Sequence, residues 1–174
     1  SSNRTIGQIM VGRKLNMRLG DLLVDKHIIT NEQLMQALSS QKKTGRKLGD
    51  TLIELNYLSE RQLLQFLAQQ LDIPFIDISQ TKISPDVASL LPEVHARRLR
   101  AIIIKDRGDS VLLGMSDPAD LSGLDQLERM LAPKNIELAV VMESQIFDAF
   151  DSLYRRTAEI ESFASQLEEE YEES

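Results

Sequence analysis

The chain has 174 residues, 42% apolar and 27% charged, enough for one ordinary domain or two small ones with a true core. Its net charge of -7 argues against a general nucleic-acid binder, no apolar run is long enough to span a bilayer, and residues 1–14 show no secretory h-region. With no cysteine, disulfides and thiolate metal sites are excluded.

The charge is uneven along the chain. Residues 1–60 carry 9 Lys/Arg and 6 Asp/Glu, residues 61–154 carry 9 and 14, and residues 155–174 carry 2 and 7. An anionic ligand finds its best reception in the first third.

In chain order, residues 1–16 offer no clear element and read as an extension or a remnant of expression. Two related segments follow, RLGDLLVDKHIITNEQLMQALSSQ at 18–41 and KLGDTLIELNYLSERQLLQFLAQQ at 47–70, separated by KKTGR. Nine of the 24 aligned positions are identical, too many for chance amphipathic helices. Each copy predicts a helical hairpin spanning 17–73 in all. His27 and Asn56 stand in the link, where a left-handed residue ends a helix. Thr30 with Gln33, and Ser59 with Gln62, match the capping box that opens the second helix. Leu34, Leu38 and Gln41 then share one helical face, as do Leu63, Leu67 and Gln70.

Core packing accounts for any single Leu of these stripes as well as ligand binding does. It does not call for a basic residue before Leu-Gly, for Gly at the second helical position, where Gly costs up to about 1 kcal/mol relative to Ala, or for a Gln closing the Leu face. Against a nucleotide these residues make sense. A guanidinium stacks on a base and forks to guanine O6 and N7, Gly admits close approach of a ring or phosphate, and a Gln amide both donates and accepts. Leu side chains sandwich a ring by desolvation. Two copies suit a ligand with two equivalent halves.

The remainder, 74–154, reads as an α+β subdomain of about four strands. The predicted elements are a strand at 75–78, a helix opening at Pro85, a turn or short helix over 92–99, and strands at 100–105 and 111–115 around an Asp106–Asp109 hairpin loop. A helix at 121–131, a strand at 136–142 and a helix at 144–154 follow. Residues 155–174 read as an acidic linker open to helix formation. The fold class is therefore α+β, with N-terminal tandem helical hairpins followed by a small α/β-sheet subdomain. Asp117-Pro118 reads first as a turn. His95, Arg97, Arg98 and Arg100 read first as a solvated helix face rather than a phosphate patch.

At the paired motifs the sequence resembles the MshEN domain, the N-terminal region of ATPases that power type IV pilus assembly and type II secretion. The family pattern is two 24-residue motifs, RLGxxL…QLxxxLxxQ, with a five-residue spacer. The resemblance is close over 18–70 and looser to about 154. It implies a cyclic di-GMP ligand and no other cofactor or metal. Arg18, Leu19, Gly20, Leu34, Leu38 and Gln41 would hold one half, and Lys47, Leu48, Gly49, Leu63, Leu67 and Gln70 the other. The resemblance also turns the Asp117 carboxylate toward the ligand groove, where it would accept from guanine N1–H and N2–H. The second motif departs from the pattern in opening with Lys47, which keeps the charge but loses the planar fork; Arg46 is the neighbouring candidate. His27 and Asn56 stand where the family often has Gly.

The resemblance further implies a regulatory domain, not an enzyme, joined through 155–174 to an ATPase core of the same polypeptide. It implies a cytoplasmic place beside the inner-membrane assembly machine and no DNA or RNA partner. No G-x-x-x-x-G-K-[ST] phosphate loop occurs in these 174 residues, and no catalytic constellation is visible. The competing expectation is a protein-docking module that attaches the ATPase to a membrane-platform partner without ligand. The paired Arg/Lys-Leu-Gly and terminal Gln argue against it, since docking does not need them in both copies.

Overall fold

The computed structural model describes residues 18–173, so the extension expected at 1–16 lies outside the described residues. The chain divides into two compact units, Ser1–Ile73 and Pro74–Ser174.

In the first unit each repeat forms a short helix and a longer one. The first copy gives α1 (Leu19–Asp25) and α2 (Asn31–Thr44); the second gives α3 (Leu48–Glu54) and α4 (Glu60–Leu71). The short helices stop for the same reason. His27 (φ 59°) and Asn56 (φ 61°) adopt the left-handed conformation. Around them the Ile28 and Tyr57 amides donate back to the Leu23 and Leu52 carbonyls, at 2.9 and 3.0 Å. This is the Schellman arrangement, which satisfies carbonyls the helix end leaves open.

The long helices start on complete capping boxes. Gln33 N–H donates to Thr30 Oγ1 at 3.1 Å and Thr30 N–H to Gln33 Oε1 at 2.9 Å. Ser59 and Gln62 repeat the pair at 3.1 and 2.8 Å. Helix α2 ends on Gly45 (φ 72°), with Lys42 and Lys43 in its last turn, where cations favour the helix dipole. The core of this unit joins both copies: Leu22, Leu23, Ile29, Leu34 and Ala37 from the first, Leu52, Leu58, Leu63 and Phe66 from the second.

The second unit holds a three-stranded sheet in the order β1 (Ala101–Asp106), β2 (Ser110–Met115), β3 (Asn135–Val140). Strands β1 and β2 are antiparallel with a bulge between Ile103 and Lys105, whereas β2 and β3 are parallel. The β1–β2 turn uses Gly108 at φ 87°, a conformation glycine adopts at no steric cost. Helices α5 (Pro85–Ala88), α6 (Glu93–Leu99), α7 (Leu121–Leu131) and α8 (Glu143–Glu173) complete the unit. Its core gathers Ile102, Ile103, Val111, Leu113 and Met115 from the sheet with Leu127, Ile146 and Phe150 from the helices.

One sequence expectation changes. The strand expected at 75–78 is a single bridge from Phe75 to Val140, after which Asp77 Oδ1 accepts from the Ser79 amide and the chain turns into a 3-10 helix, Ile78–Gln80. The acidic 155–174 stretch, read as open to helix formation, takes that course: α8 runs unbroken from Glu143 to Glu173. No described helix is long and apolar enough to cross a membrane.

Candidate functional site

The paired motifs meet at their Leu-Gly turns. Gly20 is buried, and a Cβ there would lie 2.5 Å from Leu34 Cδ1 and 3.1 Å from Leu48 Cδ2. A Cβ on Gly49 would lie 2.9 Å from Leu63 Cδ2 and 4.0 Å from Leu19 Cδ2. Each glycine therefore packs on the Leu of its own long helix and under the Leu that precedes the other glycine. The arrangement is reciprocal, as if a local two-fold axis related the copies. A Cβ at either position would press on Leu methyl groups, so close packing favours glycine there as well as ligand approach does.

The basic residues stand just outside this contact. Arg18 and Lys47 are extended N-cap residues of α1 and α3, with nearly the same backbone angles (φ -62°, ψ 140° and φ -63°, ψ 149°), and both are exposed. Arg46 is engaged elsewhere: its guanidinium meets Glu54 Oε2 at 2.5 Å. Lys47 stands in register with Arg18.

Burial is graded along each Leu face. Leu34 and Leu63 are buried, Leu38 is 36% exposed, Leu67 is half-buried against the core, and Gln41 and Gln70 are partly exposed at the far ends of the stripes. Leu19 and Leu48 are half-buried. The structure thus repeats a set of six residues, each set grading from an exposed cation through a close Leu-Gly contact to a partly exposed amide. A feature that sequence reasoning missed ties the copies further: the Tyr57 hydroxyl of the second donates to Gln36 Oε1 of the first. Its symmetry counterpart is absent, since Ile28 stands where Tyr57 does.

Asp117 belongs to the second unit. Its Oδ1 accepts from the Ala119 amide at 3.3 Å and its carbonyl from the Asp120 amide at 3.2 Å, which is the turn role expected of Asp-Pro. The basic cluster on α6 is likewise engaged internally. Arg97 pairs with Glu93 (2.8 Å) and Asp151 (3.2 Å) and lies over the Phe150 ring, and those two carboxylates favour its charged form. Arg98 bonds Gln126, and Arg100 pairs with Glu143 at 2.7 Å. Among the described residues no group of three or more His, Asp or Glu is placed to hold a metal.

The MshEN domain family model matches residues 71–160, just over half of the chain. The chain belongs to the MshEN domain family. The match falls on the sheet-bearing unit, whereas the resemblance in the sequence was closest over the repeats. A solved structure of MshE with cdg bridges the two: it is 53% identical, has a TM-score of 0.73, and the alignment covers 79% of this chain and 99% of that one. Residues 71–174 alone cannot supply that coverage, so the likeness reaches into the repeats. The N-terminal domain of XpsE shares the fold at 20% identity and a TM-score of 0.59, covering 75% of this chain and 90% of that one. Two curated relatives are type IV pilus assembly ATPases named PilB. The Myxococcus xanthus protein is 29% identical over 137 residues and the Thermus thermophilus protein 31% identical over 113 residues. These alignments cover 79% and 64% of this MshEN domain but only 24% and 13% of the relatives' own lengths.

Proposed function

We propose that this MshEN domain binds cyclic di-GMP through its two motifs and serves as the ligand-sensing, non-catalytic part of a type IV pilus or type II secretion ATPase on the cytoplasmic side of the inner membrane. The observation that carries the reading is the reciprocal contact of Leu19 with Gly49 and Leu48 with Gly20. A pair of sites built that way offers the same chemistry twice, which a symmetric dinucleotide needs. The presence of cdg in the MshE structure, 53% identical, supports the ligand's identity.

In this reading Arg18 and Lys47 take guanine or phosphate by charge-assisted contacts. Leu38 and Leu67, the less buried members of their stripes, give up water to the base faces, and Leu19, Leu34, Leu48 and Leu63 back them. Gln41 and Gln70 close the ends as donors and acceptors. Gly20 and Gly49 let the two copies approach closely enough to share one ligand. Asp117 is proposed only as a further guanine acceptor, released from its turn. The ATPase core of the same polypeptide and a membrane-platform protein are the partners this role implies.

Calorimetric titration of cyclic di-GMP tests the proposal, with Arg18→Ala and Gln41→Ala alongside. One-to-one binding weakened more than tenfold by each substitution, about 1.4 kcal/mol, is expected. Lys47→Arg should tighten binding, because it restores the planar fork. Wild-type protein that gives no binding, confirmed by a second method, would sink the proposal and favour docking.

A further inference from the structure

Helix α8 has two unlike halves. Ile146, Phe150 and Leu153 are buried in the second unit's core, and the Tyr154 hydroxyl donates to the Leu91 carbonyl at 3.1 Å. Beyond Tyr154 the helix continues for about 30 Å at 1.5 Å per residue. There, Ile160, Phe163, Leu167 and Tyr171 are between 41% and 82% exposed. At 100° per residue, Ile160, Ala164, Leu167 and Tyr171 fall on one narrow stripe with Phe163 on its border, the spacing of a coiled-coil seam.

The flanks of that stripe carry one sign of charge. Glu161, Glu168 and Glu172 line one side and Glu159 and Glu170 the other, and no Lys or Arg occurs after Arg156. Glu168 and Glu172, and Glu169 and Glu173, are also like-charged pairs at i,i+4, which destabilise a helix. A second copy laid on this seam would set Glu against Glu, and an anionic lipid surface would repel it. A partner with cations beside its own apolar stripe removes both penalties.

We infer that the distal half of α8 is a docking surface for an amphipathic helix of another protein whose apolar stripe is flanked by Lys and Arg. The apolar seam supplies affinity and the acidic flanks select the partner. The surface lies on residues 160–171, outside the paired motifs.

The probe is a synthetic three-heptad peptide with Leu at the seam positions and Lys at the flanks, titrated against the 174-residue chain by fluorescence anisotropy at about 0.15 M salt, where long-range attraction is screened. A Glu-flanked twin serves as control. Binding of the Lys peptide, at least tenfold weaker binding of the Glu peptide, and a tenfold loss in Phe163→Ser/Leu167→Ser are expected. Both substituted residues are exposed, so circular dichroism should report an intact fold. Equal binding by that double variant would reduce the effect to charge attraction and overturn the inference. So would equal binding of the two peptides, or concentration-dependent self-association in sedimentation that the double variant abolishes, which would make the occupant a second copy. Cyclic di-GMP affinity should be unchanged in the double variant, so this test and the ligand test fail independently.

Discussion

The two repeats share their backbone devices and differ in what they bury. Both end the short helix on a left-handed residue, both open the long helix on a capping box, and both pack a glycine on a Leu. Yet the first copy places Ala37 in the shared core where the second places Phe66, and Leu22 of the first is replaced by Thr51, whose hydroxyl donates to the Lys47 carbonyl at 3.0 Å. Phe66 thus supplies bulk where the first copy has Ala37, and Leu22 supplies it where the second has Thr51. The copies agree in the parts that set chain direction and differ in the residues they pack. Substitutions at matched positions should therefore agree where they touch backbone devices and disagree where they touch the core.

The largest disagreement is expected at Phe66 and Ala37. Phe66→Ala should cost about 3–5 kcal/mol by leaving a cavity, read as a lowered urea midpoint. Ala37→Phe, at a fully buried position, should cost about 1–3 kcal/mol through overpacking. If Phe66→Ala costs less than about 1 kcal/mol, the division of the core is wrong. The next effect separates the glycines. Gly20→Ala meets Leu34 at 2.5 Å and Leu48 at 3.1 Å, whereas Gly49→Ala meets only Leu63 closely, at 2.9 Å. Gly20→Ala should lose about 1–2 kcal/mol despite the better helix propensity of Ala, and Gly49→Ala less; the reverse order would undo the contact geometry. Agreement is expected at the caps, where Thr30→Ala and Ser59→Ala should each lose about 1 kcal/mol in chemical denaturation.

The second unit provides a reference outside both copies. Burial pushes the Tyr154 phenol up to about 12, above the roughly 10 of an unfolded chain. The native state then holds a proton that the unfolded state releases, so the stabilisation is complete below about pH 10 and fades as pH rises toward 12. Tyr154→Phe should lose about 1 kcal/mol at neutral pH with the hydrogen bond to Leu91. It should also flatten the alkaline part of the stability profile; an unchanged slope there would mean that the phenol is not buried.

Much of this was legible in the sequence because it is local. The capping boxes are fixed by residues three apart, and His27 and Asn56 announce their φ by residue type and place. The 121–131 helix and the hairpin around Gly108 follow from periodicity and turn chemistry. The rest depends on non-local contacts. Nothing in 75–78 tells that only Phe75 finds a strand partner in Val140 while Asp77 bends the chain away. The Glu-rich tail carries no capping signal, so its continuation of α8 was not fixed by pattern. The candidate site shows the same split. The repeated residue types were visible, but the crossing of Leu19 and Leu48, the Tyr57–Gln36 bond and the Arg46–Glu54 pair needed the chain in space.

The crossing of the two leucines bears on how such a unit could have arisen. Because each copy covers the other's glycine, a lone repeat would uncover its Leu-Gly turn. A one-repeat ancestor built on the same contact would have had to work as a homodimer, with fusion of its two genes turning a symmetric interface into an intramolecular one. Once joined, the halves would be free to diverge, as they do at Arg18 against Lys47 and Ala37 against Phe66.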